Sequence, residues 1–199
     1  MHGLGGHGTN PAVSGRPGAR RAGAIAVSGA IVWFTGLPAS GKSTLARRVH
    51  AHFVATGRTA VLLDGDELRN VLDAHAYERT DRDRFYRSLA ALAALLANQG
   101  FVVLVAATAP RRQDRDRARA QMVADGVFIE VWVKTPLSEC AARDPKGLYA
   151  QAGRGEVTEL PGVGVAYEPP LVPEVIAAGG LDDTAVAAIE CQLDLGRAA

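Results

Sequence analysis

The stretch AIVWFTGLPASGKSTLARRV, Ala30–Val49, decides how this sequence is read. Ala30–Thr35 is short, β-branched and aromatic, the composition of a buried strand. Gly36–Thr44 follows as Gly, four residues, Gly-Lys-Ser, with apolar positions Leu45, Val49 and Phe53 stepping at helical spacing beyond it. Strand, glycine-rich turn and helix form the context in which a phosphate-binding loop works. Gly36 and Gly41 allow backbone angles that a Cβ would resist. Leu37, Pro38, Ala39 and Ser40 form the wall between them. Backbone N–H groups and the positive end of the helix then face an anion. Lys42 is placed to reach the β- and γ-phosphates of a nucleotide, Ser43 to offer its hydroxyl to Mg²⁺, and Thr44 to complete the loop.

Working outward, apolar runs alternate with amphipathic stretches. The helix after the loop is expected to stop at Gly57. Thr59–Leu63 reads as a second strand, running into the acidic turn Asp64-Gly65-Asp66. A long helix is expected from about Asp83 to Asn98, with Phe85, Leu89, Leu92 and Leu96 on one face. Phe101–Ala106 is a third strand, apolar throughout as strands covered on both faces are. Gln113–Asp125 reads as a charged surface helix and Val127–Val133 as a fourth strand. A short helix near Pro136–Arg143 and a DPKGLY loop come next. Val175–Ala177 reads as a short strand and Asp183–Leu193 as a closing helix capped by Asp182 or Asp183. This alternation implies an α/β fold whose parallel sheet is covered by helices on both faces, with ligands at the carboxyl ends of the strands.

Length and composition narrow the function. The chain has 199 residues, 48% of them apolar, which suits one folded domain over 30–199. The first 29 residues are rich in Gly, Ala and Arg with no acidic residue, and read as a disordered tail or the product of an early start codon. Arg20-Arg21 superficially matches an export signal, but the apolar run after it is the first core strand. A net charge of +1 gives no case for nucleic acid or a membrane surface as partner. Cys140 and Cys191 match no metal or redox spacing, and a reduced, cytoplasmic protein is the simplest expectation.

What the bound phosphate is for can be read further along. Val133-Lys134-Thr135-Pro136 lacks the guanine-reading motif of a GTPase, and Val105-Ala106-Ala107-Thr108 lacks the carboxylate that a motor ATPase carries after a central strand. The acidic pair lies instead after the second strand. There a carboxylate can align Mg²⁺ or accept a proton from an attacking hydroxyl, which suits a small kinase.

In order along residues 30–170, these features resemble the adenylylsulfate (APS) kinases. The resemblance rests on GLPASGKST, LDGDELR (Leu63–Arg69), Asp81-Arg82, Ala109-Pro110, Arg112 with Asp114–Arg117, FIEVWVKTPL (Phe128–Leu137), CAARDPKGLY (Cys140–Tyr149) and Tyr167–Pro170. It implies a three-layer P-loop kinase fold and ATP-dependent phosphorylation of the APS 3′-hydroxyl to give PAPS. Carried over by position, Gly36–Thr44 bind ATP and Mg²⁺, and Arg143 lies near the adenine. Asp66 is the catalytic carboxylate, supported by Asp64. Arg69 and Arg82 bind the acidic acceptor, a role suited to guanidinium forks. Tyr77 stands for the family's aromatic residue. Lys146, Gly147 and Leu148 close over the site, and Gly155–Tyr167 forms a lid. A homodimer is implied by family analogy only.

The departures fall in the acceptor half. Thr108 and Ala109 stand in a segment where the family has Phe-Ile-Ser-Pro, so Ala109 cannot carry a phosphate. Phe85 replaces an asparagine, Arg87-Ser88 an arginine pair, and Leu160–Val163 a Phe-Thr-Gly-Ile segment. Asparagine to Phe85 removes two donors and an acceptor, and a lost buried polar contact costs ~1–3 kcal/mol. Another nucleotide-like anion of the cytidine diphosphoramidate type is therefore the alternative acceptor. A nucleotide-binding protein without catalysis is the second alternative.

Overall fold

The computed structural model describes residues 29–74, 76, 78–122 and 126–198. The expected tail and Tyr77 lie outside the described residues, apart from Gly29. The elements are β1 (Ala30–Thr35), α1 (Lys42–Ala55), β2 (Ala60–Asp64), α2 (Gly65–Val71), α3 (Arg79–Ala97), β3 (Val102–Ala106), α4 (Arg112–Arg119), β4 (Val127–Val133), α5 (Leu137–Arg143), α6 (Leu148–Gly153), β5 (Val175–Ala177) and α7 (Asp183–Ala198). All pairings in the five-stranded sheet are parallel, in the order β2-β3-β1-β4-β5. Among the described residues no helix is long and apolar enough to cross a membrane.

β1 is apolar throughout because both its faces are covered. Ala30, Val32 and Phe34 pack with Leu45, Val49 and Phe53 of α1 and with Ala185, Ile189 and Leu193 of α7. Ile31 and Trp33 point the other way, onto Phe85, Leu89, Ala90 and Ala93 of α3 and Ala118 of α4. The period of two along β1 thus feeds two separate cores and gives three layers. Full burial of each large apolar side chain is worth about 1.5–3 kcal/mol.

Several local expectations are corrected. α3 begins at Arg79, not near Asp83, and its buried stripe runs through Tyr86, Leu89, Ala90, Ala93, Ala94 and Ala97, with Leu92 and Leu96 only at its edge. Alanines on that stripe let the helix lie close to the sheet. α4 ends at Arg119, short of Asp125, and is no plain surface helix: Asp114, Arg115 and Ala118 are buried. The Arg115 guanidinium reaches Glu130 of β4 at 2.6 Å and the Ala109 and Glu168 carbonyls at 2.6 and 2.7 Å, so burial is matched by a full set of partners. α2 stands where only a turn was expected, and α6 begins inside the expected DPKGLY loop. The closing helix runs five residues beyond Leu193, to Ala198.

β1 lies at the centre of the sheet, with β3 and β2 on one side and β4 and β5 on the other, so the winding direction reverses across it. The loop after β1 opens at that switch point, at the carboxyl edge of the sheet.

Candidate active site

Gly36–Gly41 leaves β1 and turns into α1. The N-cap of α1 is Gly41, at φ 100°, with no side-chain cap. The first amides of the helix are therefore aimed at whatever sits in the loop. Gly41 is required for a second reason. A Cβ there would lie 2.6 Å from the Gly180 amide nitrogen, and a Cβ on Gly180 would lie 2.8 Å from Thr44 Cβ. The segment Ala178–Asp182 thus lies directly on the phosphate loop. Thr135 at the end of β4 clamps the loop by donating to the Ser40 carbonyl at 2.7 Å.

Lys42 Nζ donates to the carbonyls of Leu37 at 2.7 Å and Gly36 at 3.1 Å. The residue as a whole is only partly buried, but its ammonium lies deep enough for burial to push its pKa down to about 8, against the opposing pull of Asp66 and Asp64. Lys42, Asp66 and Lys146 feel one another's charge and so belong to one site.

Asp64 ends β2, almost fully buried, and its Oδ1 accepts from the Asp66 amide at 2.9 Å. It is the N-cap of α2, and its carboxylate holds the Asp66 amide in place. Asp66 is exposed, and its Oδ2 accepts from Lys146 Nζ at 2.5 Å. That pair joins α2 to the Asp144–Gly147 turn, where Gly147 at φ 66° caps α6. Leu148 is the first residue of α6. The sequence reading missed Tyr149, whose hydroxyl donates to the Pro38 carbonyl at 2.9 Å and ties α6 to the phosphate loop. Its burial raises its pKa, so it stays a donor.

The residues expected to meet an acceptor stand on α2, α3 and the segments after β3 and α6. Arg69 and Arg82 are both nearly buried. Arg69 Nη1 donates to the Ala74 carbonyl at 2.9 Å and lies over the Phe85 ring, 3.9 Å from its centre. Arg82 donates to the Glu159 carbonyl and faces the Glu159 carboxylate at 3.4 Å, which moors the Gly155–Tyr167 segment beside buried Leu160. Within that segment Gly162 donates to the Val165 carbonyl at 2.7 Å, so it is a folded turn and not a plain loop. Leu37, Gly162, Val163, Val165, Ala166 and Tyr167 line a cleft of about 510 Å³. Thr108 accepts from Thr35 Oγ1 through its carbonyl at 2.7 Å, and Ala109 is fully buried at φ 37°. A non-glycine residue in that region is held there by its surroundings, here by Arg115 on its carbonyl.

A larger cleft, about 820 Å³, lies on the other side of the loop, lined by Gly41, Thr44, Arg143, Ala178–Asp182 and Thr184. Arg143 is half-exposed there and pairs with Glu139 at 3.0 Å. The glycine pair at Gly179-Gly180 was the available signal for this wall, and sequence reasoning passed over it. Asp182 shapes it: Oδ2 accepts from the Ala178 amide at 2.8 Å and Oδ1 from the Thr184 amide at 3.0 Å.

A model of the adenylylsulphate kinase family matches residues 28–178, covering the phosphate loop, Asp66, both arginines and the Gly155–Tyr167 segment. The chain belongs to the adenylylsulphate kinase family. It is similar to the adenylyl-sulfate kinase of Paraburkholderia xenovorans strain LB400, with 43% identity over 152 residues, which is 76% of this chain and 84% of that one. It is also similar to the structure of the Mycobacterium tuberculosis APS kinase CysC in complex with AMPPNP and APS, with a TM-score of 0.77 and 39% identity, covering 84% of this chain and 98% of that chain. The hexameric APS kinase from Thiobacillus denitrificans matches with a TM-score of 0.62 and 29% identity, covering 86% of this chain and 30% of that chain. Family membership accounts for the ordered run of motifs from GLPASGKST to DPKGLY.

Proposed function

We propose that this member of the adenylylsulphate kinase family transfers the γ-phosphoryl of ATP to the 3′-hydroxyl of adenylylsulfate, giving PAPS. The observation that carries this reading is the convergence at one sheet edge of the phosphate loop with Lys42, the exposed carboxylate Asp66, and Arg69 and Arg82 behind it. A protein that only bound ATP would have no use for the last three.

ATP enters with its polyphosphate on Gly36–Thr44 and its base in the cleft beside Arg143 and Gly179–Leu181. Lys42 turns from the Gly36 and Leu37 carbonyls to the β- and γ-phosphates. Among the described residues no cluster of three His, Cys, Asp or Glu is placed to hold a metal ion by itself. The Ser43 hydroxyl and the nearby carboxylates are oxygen donors of the kind Mg²⁺ takes together with nucleotide phosphates. When bound, Mg²⁺ would neutralise charge on the β- and γ-phosphates.

Asp66 leaves Lys146 for the acceptor hydroxyl, orients its lone pair in line with the γ-phosphorus, and takes up its proton. Arg69 and Arg82 receive the anionic end of the acceptor. The Lys146 turn, with α6 anchored through Tyr149 to the loop, and the Gly155–Tyr167 segment moored by Arg82 exclude water, the competing acceptor. Family analogy favours a homodimer, and the hexameric relative makes subunit number a matter for sedimentation.

The test is coupled ADP release from Mg-ATP with adenylylsulfate and, in parallel, with cytidine diphosphoramidate and other nucleotide anions. Turnover with adenylylsulfate at a micromolar KM is the expected result. Turnover with another anion alone would mean that the side of the site built on Phe85 and Ala109 serves that acceptor. ATP loss independent of any acceptor would overturn the kinase reading.

A further inference from the structure

We infer that Phe85 is a positioning residue for acceptor binding, acting by carrying the Arg69 guanidinium on its ring; the inference rests on the acceptor role proposed for Arg69.

The geometry is specific. Asp66 and Arg69 are three residues apart on α2, hence on one side of that short helix. The group that handles the acceptor hydroxyl and the group that reads its charge are therefore fixed relative to each other by one turn of backbone. The guanidinium still has four rotatable bonds to settle. Contacts of two kinds among the described residues help to settle it. Its Nη1 donates to the Ala74 carbonyl at 2.9 Å and, more weakly, to the Ala76 carbonyl at 3.4 Å. Its carbon lies 3.9 Å above the Phe85 ring centre, the shortest cation–ring distance among the described residues. Phe85 is itself held, 5% exposed, by an edge-on contact with Tyr86 at 5.6 Å between ring centres. A ring face and a carbonyl edge together define the plane of the fork. An arginine so restrained has surrendered its rotamer freedom before an acceptor arrives, and desolvated stacking is the setting in which a cation–π contact is strongest.

A residue of the apolar core that merely filled space would serve as well with any side chain of the same volume. A positioning residue needs the ring. This difference defines the experiment. Phe85→Leu and Phe85→Met keep an apolar side chain and remove the π-face; Phe85→Tyr keeps it. KM for adenylylsulfate, KM for ATP and kcat are measured for each, alongside the wild-type enzyme.

The expected result is a rise of roughly 5- to 30-fold in the acceptor KM for both ring-less variants, corresponding to about 1–2 kcal/mol. The ATP KM should stay within about twofold of wild type, and Phe85→Tyr should restore most of the acceptor KM. Acceptor KM values of Leu and Met variants matching wild type would overturn the inference. So would equal losses for both substrates, or a Tyr variant as poor as Leu, since each means that packing alone is at work. Should one ring-less variant fail to fold, the other gives the same comparison. Absence of adenylylsulfate turnover in the wild-type enzyme would instead refute the proposed reaction, and is seen before any variant is made.

Discussion

The lowered pKa of Lys42 makes ATP binding a proton-linked event. Burial of the ammonium brings its pKa to about 8 from the ordinary 10.5. A seated polyphosphate supplies the negative charge that the loop carbonyls lack, and it restores the protonated form. Binding then requires the charged lysine, and the apparent Kd should scale as one plus the ratio of neutral to charged Lys42. From a pKa of about 8 this is a penalty of ~10% at pH 7 and about elevenfold at pH 9, or ~1.4 kcal/mol. Proton uptake follows the same curve: about 0.1 proton per ATP near pH 7 and ~0.8 near pH 8.5, where ATP itself no longer titrates. Isothermal titration calorimetry in two buffers of different ionisation enthalpy reads this number directly. Lys42→Met should bind ATP weakly at both pH values, lose the uptake, and abolish transfer.

The stability sign is also fixed. The unfolded chain holds this proton more tightly than the folded one between about pH 8 and 10.5, so this group's contribution to stability rises with pH across that window. No uptake near pH 8.5 in the wild-type protein, with ATP affinity flat from pH 7 to 9, would refute the reasoning.

Three further predictions rest on single contacts. Asp66→Asn should lower kcat by roughly 10²–10⁴-fold while leaving ATP affinity near wild type, since the role proposed for the carboxylate is to take the acceptor's proton; equal losses in kcat and ATP affinity would make Asp66 a nucleotide ligand. Gly180→Ala puts a Cβ 2.8 Å from Thr44 Cβ and 2.9 Å from the Gly41 carbonyl oxygen. It should push the Ala178–Asp182 segment off the phosphate loop and raise the ATP KM more than the acceptor KM, in steady-state assays with each substrate varied. Asp182→Ala removes the acceptor of the Ala178, Thr184 and Ala185 amides and should cost about 1 kcal/mol, or roughly 2–4 °C in Tm by calorimetry. Hydrogen bonding to Thr184 and those amides lowers the Asp182 pKa, so the cap is complete above the usual carboxylate range and is lost as pH falls through the lowered value.

By itself, the sequence determined the sheet and the loop between β1 and α1. Strand β1, the loop and helix α1 are contiguous, and a contiguous motif carries its own geometry: Gly36, Gly41, Lys42 and Ser43 can hardly be arranged otherwise between a buried strand and a helix. Uninterrupted apolar runs at β1 and β3 announced a sheet covered on both faces, for the same local reason. Where the reading fell short, the deciding contacts joined residues far apart in sequence. Arg115 looked like one charge among several on a surface helix, and only its partners Glu130, Ala109 and Glu168 bury it. Gly180 drew no reading from the sequence, and the packing of its backbone on Gly41 supplies its reason.

The residues expected to serve the acceptor could be named from the sequence, but their arrangement could not. Asp64 reads as the support of Asp66, and only the fold shows the form its contact takes: β2 delivers its carboxylate to the Asp66 amide as a cap. Phe85 reads as the loss of a polar contact, yet α3 brings its ring beneath Arg69. Spacing along the chain specifies what a helix or a loop can do locally. Which face of α2 meets which face of α3 is set by how both pack on the sheet, and that is a property of the tertiary structure alone.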